Sequence, residues 1–219
     1  MVIGQVNGLS VLSTGDHQYG LPNRISARTY AGELGVINIE RLTEMSGPIQ
    51  QKGVLILDGY LNGMFAQNYP LSCGCSLTFE QNYGGVEGDS ASLAELVAIL
   101  SSLAEIPIRQ DIAVTGSINQ FGDVQPVGGI IHKIEGFYRT CKHKGFTGTQ
   151  GVIIPNTNIN NVILRDDVVE TIRMGDFSIW PVSRIEEALS ILTGLSPKAV
   201  FKAVAKKLAL YHESLEKLK

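Results

Sequence analysis

An α/β (α+β) fold, with mixed sheets, N-terminal antiparallel strands and packed helices, is predicted by three features of this 219-residue chain. The N-terminal part holds alternating segments broken by glycine and turn residues, which read as antiparallel strands. The second half alternates β-type apolar runs with helical stripes. With 44% hydrophobic and 18% charged residues, the chain can bury a proper core and is not of disordered type.

The elements follow in order. Residues 5–13 and 24–31 read as strands, with Gly15, Gly20, Pro22 and Asn23 as punctuation between them. A third strand is expected at Gly35-Val36-Ile37-Asn38-Ile39. Over 53–66, Val54-Leu55-Ile56-Leu57 suits a buried strand, but Val54, Leu57, Leu61, Met64 and Phe65 keep helical spacing, which predicts a helix weakened by Gly59 and Gly63. Residues 75–81 form a strand that feeds a glycine-rich turn, Gly84-Gly85-Val86-Glu87-Gly88-Asp89-Ser90. The helix after Ser90 carries one apolar stripe, Leu93, Leu96, Val97, Leu100, Leu103 and Ala104, and ends before Pro107.

A strand over 111–115 is followed by a hairpin signal at Gly122-Asp123. A second helix, about Ile130 to Lys144, buries Ile130, Ile134, Phe137, Tyr138 and Cys141, and Gly145 closes it. Strands at 151–155 and 177–182 precede a helix at about 184–193 with Ser183 as its cap. The tail, 196–219, opens with Ser196 as cap and Pro197 in the first turn. Its stripe is Val200, Phe201, Val204, Leu208 and Tyr211, with Lys202, Lys206, Lys207, Lys217 and Lys219 solvated. Two units are therefore expected, a domain over 1–195 and an amphipathic C-terminal helix or tail over 196–219.

Bulk properties narrow the function. A net charge of −3 gives no basic footprint, so no nucleic acid is indicated. Apolar runs fall far short of the roughly 18–20 residues of a membrane span, so no membrane segment is expected. The N-terminus has no basic region followed by an apolar one, so no secretory signal is visible. Three cysteines, Cys73, Cys75 and Cys141, fit a reduced, cytoplasmic protein. Cys73-Gly74-Cys75 has no second Cys/His pair at ligand spacing, and no metal site is expected. No Gly-x-x-x-x-Gly-Lys-Ser/Thr loop occurs, so no phosphate-loop ATPase resides here.

The glycine-rich turn is the candidate site. A serine or aspartate before an apolar run is ordinarily an N-cap. The same position also places a hydroxyl near amides without intrahelical partners, which suits a nucleophile beside an oxyanion hole. Glu87 and Asp89 are acid/base candidates, although carboxylates in such turns commonly serve the helix dipole. The four histidines are scattered, so a Ser-His-Asp triad and a cysteine nucleophile lack a base. Lys133 lies on or beside the apolar stripe of the second helix. It is either a snorkelling side chain or a desolvated amine of lowered pKa. The second reading makes a Ser-Lys pair.

Several blocks then carry a resemblance: Gly4-Gln5-Val6-Asn7-Gly8-Leu9, Ser46-Gly47-Pro48-Ile49, Lys52 to Leu57, Val86-Glu87-Gly88-Asp89-Ser90-Ala91-Ser92, Thr115-Gly116-Ser117-Ile118, Gly122 to Gly129, and Lys133. In this order they resemble the proteolytic domain of Lon proteases over about residues 4–194, and Gly-Asp-Ser-Ala-Ser is similar to the B-type Lon branch. The resemblance implies a Lon-type proteolytic fold and a serine endopeptidase cleaving unfolded or misfolded polypeptides. Ser90 would be the nucleophile and Lys133 the general base. Glu87 would match an acidic position near the dyad, and Thr115 a threonine that hydrogen-bonds the lysine. Asp89 stands where the A-type branch has proline, placing a second carboxylate near the lysine.

The resemblance further implies a homo-oligomer, a hexameric ring around a chamber, and ATP-dependent proteolysis. ATP and Mg would belong to an upstream ATPase domain, with no cofactor in this chain. The first strand begins close to Met1, so the chain is expected to be a fragment of a longer protein. The rival reading is a non-catalytic Lon-like scaffold or oligomerisation domain, against which stands the presence of both Ser90 and Lys133.

Overall fold

The computed structural model describes residues 1–218. Lys219, the last of the tail lysines expected to be solvated, lies outside the described residues.

The chain opens with a long hairpin, β1 (Gln5–Thr14) and β2 (His17–Ala31), paired along its whole length from Gln5 opposite Ser26 to Thr14 opposite His17. Short β3 (Gly35–Asn38) runs into a single helical turn, α1 (Ile39–Leu42), which the Asn38 side chain caps. Helix α2 (Pro48–Phe65) leads to β4 (Cys73–Phe79), and the glycine-rich turn joins β4 to α3 (Ser92–Ala104). After β5 (Ile112–Val114) come two strands of a small separate hairpin, β6 (Ser117–Ile118) and β7 (Val124–Gln125). Helix α4 (Ile130–Lys144), β8 (Gln150–Pro155), a 3-10 turn (Asn156–Asn161), α5 (Asp166–Arg173), β9 (Phe177–Val182), α6 (Ile185–Thr193) and α7 (Pro197–Glu216) complete the described chain.

The main sheet has the order β3-β4-β2-β1-β5-β8-β9. The pairs β1–β2 and β2–β4 are antiparallel, whereas β3–β4, β1–β5, β5–β8 and β8–β9 are parallel. The expected mixed α/β (α+β) architecture is thus observed. Alternate residues of the central strands enter two cores. Val6, Ile112, Val114 and Ile153 join Leu93, Leu96, Val97 and Leu100 of α3 on one face. Leu9, Ala113, Val152 and Ile154 join Ile130, Ile134 and Phe137 of α4 on the other. Helices α3 and α4 therefore cover opposite faces of one sheet, as parallel strands buried on both sides require.

Several expectations are corrected. The second strand begins at His17 rather than 24, so Gly20, Pro22 and Asn23 lie inside β2. Pairing to β4 covers only Ile25 to Ala31, so Pro22 has a partner strand on one side alone and its missing N–H breaks no ladder there. The helix expected over 53–66 exists but begins at Pro48, whose fixed φ suits a first turn. Helix α3 is apolar on almost every side, with Ala94, Ala98 and Ile99 also buried, because it is a core helix and not a surface one. Ser183 does not cap α6. The N-cap is Arg184, and the Ser183 amide donates to the Glu187 carboxylate at 2.7 Å. Helices α1 and α5 were not anticipated; both are too short for a sustained period.

The tail expectation holds for Ser196, which accepts from the Ala199 amide, and for Val200, Val204 and Leu208, which are buried. These three join the same core as α3. Lys207 departs from a purely solvated role, since its amine lies 2.6 Å from Glu105. Among the described residues, no single helix is long and apolar enough to cross a membrane. Helices α6 and α7 reach that length only together, across a 93° bend.

A tight backbone approach lies beneath α4. A Cβ at Gly20 would run into the His132 carbonyl and the Lys133 backbone, and one at Gly136 would strike the backbone of Gly20. Glycine at both positions lets α4 lie directly on β2. Gly20→Ala is expected to lower stability by about 1–3 kcal/mol through overpacking, measured by chemical denaturation. Gly63→Ala, in an exposed turn of α2 with open space around it, should instead raise stability by up to about 1 kcal/mol.

Candidate active site

The turn carrying Ser90 is held at both ends. At its start, the Val86 amide donates to the Met45 carbonyl at 2.8 Å and the Gly47 amide to the Val86 carbonyl at 2.9 Å. At its end, the Gly116 amide donates to the Ser90 carbonyl at 2.9 Å, and the Leu93 amide to the Gly116 carbonyl at 3.0 Å. The first turn of α3 is thereby tied to the residue pair that follows β5. The amides of Ser90 and Ala91 have no hydrogen-bond acceptor among the described residues. They sit just before the helix, where unpaired N–H groups carry partial positive charge.

Lys133 comes from the first turn of α4. Val127, just upstream, is clamped by Asn158, whose side chain accepts from its amide at 2.9 Å and donates to its carbonyl at 3.1 Å. Although α3 and α4 cover opposite faces of the sheet, both start near the carboxyl end of β5. There the Lys133 side chain, only 3% exposed, brings Nζ to 2.8 Å from Ser90 Oγ. Nζ also donates to Thr115 Oγ1 at 3.2 Å, and the Thr115 hydroxyl donates onward to the Ser90 carbonyl at 3.3 Å. Thr115 is fully buried, so its orientation is fixed.

Burial disfavours the charged ammonium and pushes the Lys133 amine down to about 8, while the Asp89 carboxylate opposes that fall. Asp89 is itself held by Ser117, whose hydroxyl donates to Oδ2 at 2.9 Å. The buried Ser92 hydroxyl accepts from the Ile118 amide at 3.1 Å. An amine that sheds its proton near neutrality, touching a serine hydroxyl, has the chemistry of a base set against a nucleophile.

Comparison with known proteins identifies the family. Residues 84–194, just over half of the chain, match the family described as the Lon protease (S16) C-terminal proteolytic domain. The chain belongs to the Lon protease family. It is 44% identical over 195 residues to a protein named a Lon protease homolog in Escherichia coli (strain K12), covering 88% of this chain and 33% of that protein. A homolog of the same name in Haemophilus influenzae is 45% identical over 195 residues, covering 88% of this chain and 32% of that protein. A protein named archaeal Lon protease in Pyrococcus abyssi is 37% identical over 195 residues, covering 86% and 17% respectively. The chain thus spans about a third or less of the length of these curated relatives.

Within this Lon-type domain the residues singled out from sequence fall into two groups. Ser90, Lys133 and Thr115 converge, and Asp89 lies beside them. Glu87 bonds to neither Ser90 nor Lys133. Its carboxylate lies at the start of α2, accepting from the Ile49 amide at 3.3 Å and filling the space a side chain at Gly47 would need. It supplies the negative charge that the N-cap Gly47 lacks. Ser90 does not cap α3. The N-cap position is Ala91, and the Ser90 hydroxyl faces Lys133 instead. Ser117, Ser92 and Asn158 escaped notice. Ser117 could have been suspected from its place in Thr115-Gly116-Ser117, whereas nothing local marks Asn158.

The three cysteines are buried and free; burial raises the thiols of Cys73 and Cys141 to about 11. Such thiols stay protonated near neutrality and are poor nucleophiles.

The Lys133 environment is directly measurable. In protein labelled with 13C at lysine Cε, one resonance should titrate with a midpoint near 8. Asp89→Asn should move that midpoint lower, because the Asp89 charge favours the ammonium.

Proposed function

We propose that this chain is the serine endopeptidase domain of an ATP-dependent Lon-type protease, cleaving unfolded or misfolded polypeptides with a Ser90-Lys133 dyad. The observation that carries this reading is the 2.8 Å contact between Ser90 Oγ and a Lys133 amine buried enough to lose its proton near neutrality. The neutral amine takes the Ser90 hydroxyl proton as Oγ attacks the scissile carbonyl. The resulting ammonium passes that proton to the leaving amine, giving an acyl-serine and releasing one peptide fragment. Water, deprotonated by the same amine, then attacks the acyl carbonyl and restores Ser90.

Thr115 positions the base. Its hydroxyl proton is engaged with the Ser90 carbonyl, so it receives an N–H from Lys133 and leaves the amine lone pair for Ser90. The unpaired Ser90 and Ala91 amides are placed to receive the oxyanion.

The scaffold reading is disfavoured by the same geometry, since a retained fold without chemistry has no need of a buried lysine against a serine. Family membership supports a homo-oligomeric, hexameric assembly in a cytoplasmic, ATP-dependent protease. ATP and Mg would act through a separate ATPase domain, because this sequence holds no phosphate loop.

Ser90→Ala and Lys133→Met should each lower kcat/KM for an unstructured peptide by about 10³-fold or more. The folded state should persist in both, checked by circular dichroism. Below about pH 8 the wild-type rate should fall tenfold per pH unit as the amine gains its proton. Full turnover by Ser90→Ala would refute the assignment of the nucleophile, and a wild type without turnover would leave the scaffold reading.

A further inference from the structure

One buried group close to the site has no part in the chemistry described above. Glu95, one turn into α3, is 2% exposed. Its Oε1 accepts from Gln50 Nε2 of α2 at 3.0 Å. Gln50, also 2% exposed, accepts in turn from the Ser46 hydroxyl and from Asn38 Nδ2, each at 2.7 Å. Ser46 lies in the segment that pairs with the start of the Ser90 turn, through the Val86 and Gly47 amides. The Glu95 amide donates to the Ala91 carbonyl at 2.9 Å, next to Ser90.

These contacts form a closed circuit. It runs from Val86 through Met45, Ser46 and Gly47 to Gln50, across to Glu95, and back through Ala91 to Ser90. Only the turn between Val86 and Ser90 lies outside this frame. We infer that Glu95 is a positioning residue for the Ser90 nucleophile, a buried carboxyl that ties α3 to α2 through Gln50 and so holds the nucleophile turn at both ends. The inference rests on the proposed peptidase reading and adds a regulatory feature to it, an alkaline limit on the same site.

The surroundings favour the neutral form of this carboxyl. Charged groups facing it are Glu40 of α1 and Asp89 of the turn, both of its own sign. Glu40 is buried, and its Oε1 is taken up by the Thr78 hydroxyl and the Phe79 amide. Its second oxygen has no partner among the described residues. Gln50 offers Glu95 one neutral amide donor. Burial, opposed by Gln50 and reinforced by Glu40 and Asp89, pushes the Glu95 carboxyl up to about 8. The folded form holds its proton to about that pH, whereas an unfolded carboxyl releases it near the ordinary 4.5. Stability from this group is therefore complete below about 4.5 and is lost as pH rises to about 8. Above that, Glu95 is charged within the fold: its oxygen still accepts from Gln50, but repulsion from Glu40 and Asp89 strains the frame around the Ser90 turn.

Two measurements on the full chain test this. In steady-state peptide hydrolysis from pH 6 to 10, the wild type should show a bell centred near pH 8, rising with loss of the Lys133 proton and falling with loss of the Glu95 proton. Glu95→Gln keeps an acceptor for Gln50 but cannot ionise. It should abolish the alkaline limb and leave the acid limb's midpoint in place. An unchanged alkaline limb would overturn the inference.

The second measurement needs no turnover. In Ser90→Ala protein, hydrogen-exchange protection of the Val86 and Gly47 amides, corrected for the intrinsic rate, should drop at least about tenfold from pH 5.5 to 8. Adding Glu95→Gln should flatten that dependence. Protection that is flat in the Ser90→Ala parent would overturn the inference, even if Glu95→Gln failed to fold. A pH-dependent lock in a protein without peptidase activity would refute the proposed function and leave the Glu95 lock standing.

Discussion

Burying a lysine amine is unfavourable unless it sheds its charge or finds compensation, and the Lys133 amine sits where the fold meets both conditions. Exposure of 3% pushes it toward the neutral form, and Thr115, Ser90 and the nearby Asp89 carboxylate complete its surroundings. Much of the architecture serves that placement. The Gly20–Gly136 approach lets α4 lie against β2 at the level of Lys133. Asn158 fixes the segment entering α4, and the end of β5 delivers Thr115 to the point where α3 and α4 converge from opposite faces. The requirement at Lys133 links a backbone contact on one face of the sheet to a hydroxyl on the other.

The serine is constrained by a different device. Its turn is short and glycine-rich, so its own sequence does not fix its shape. Shape is imposed from outside by strand-like pairing to the segment before α2, by Gly116 after β5 and by the polar seam between α2 and α3. Glu87 belongs to that framework, at the head of α2, and makes no bond to Ser90 or Lys133. Two acidic residues in one turn therefore do different work. Glu87 stabilises a helix start, while Asp89, held by Ser117, adjusts the field at the lysine.

What the sequence revealed follows from which signals are local. Helix α4 was legible to the residue, because its period is strong and Gly145 marks its end. The buried position of Lys133 followed from the same period. Strand β2 was misread at its start because Gly20 and Pro22 are ordinarily turn residues. Only the β1 pairing and the α4 crossing explain them inside a strand. Ser90 and Lys133 were singled out because the motif blocks resemble one family in order, whereas spacing alone favoured a cap and a snorkelling lysine. Asn158 and the Glu95–Gln50 pair were not legible, since their partners lie 31 to 45 residues away and no local pattern announces them.

The pairing of Ser90 with Lys133 is tested most directly by covalent labelling with a fluorophosphonate, followed by peptide mapping. The adduct should map to Ser90, form faster as pH rises toward 8, and fall to background in Lys133→Met. Labelling of another residue, or equal labelling of Ser90 without Lys133, would contradict the assignment of Lys133 as the base that activates Ser90.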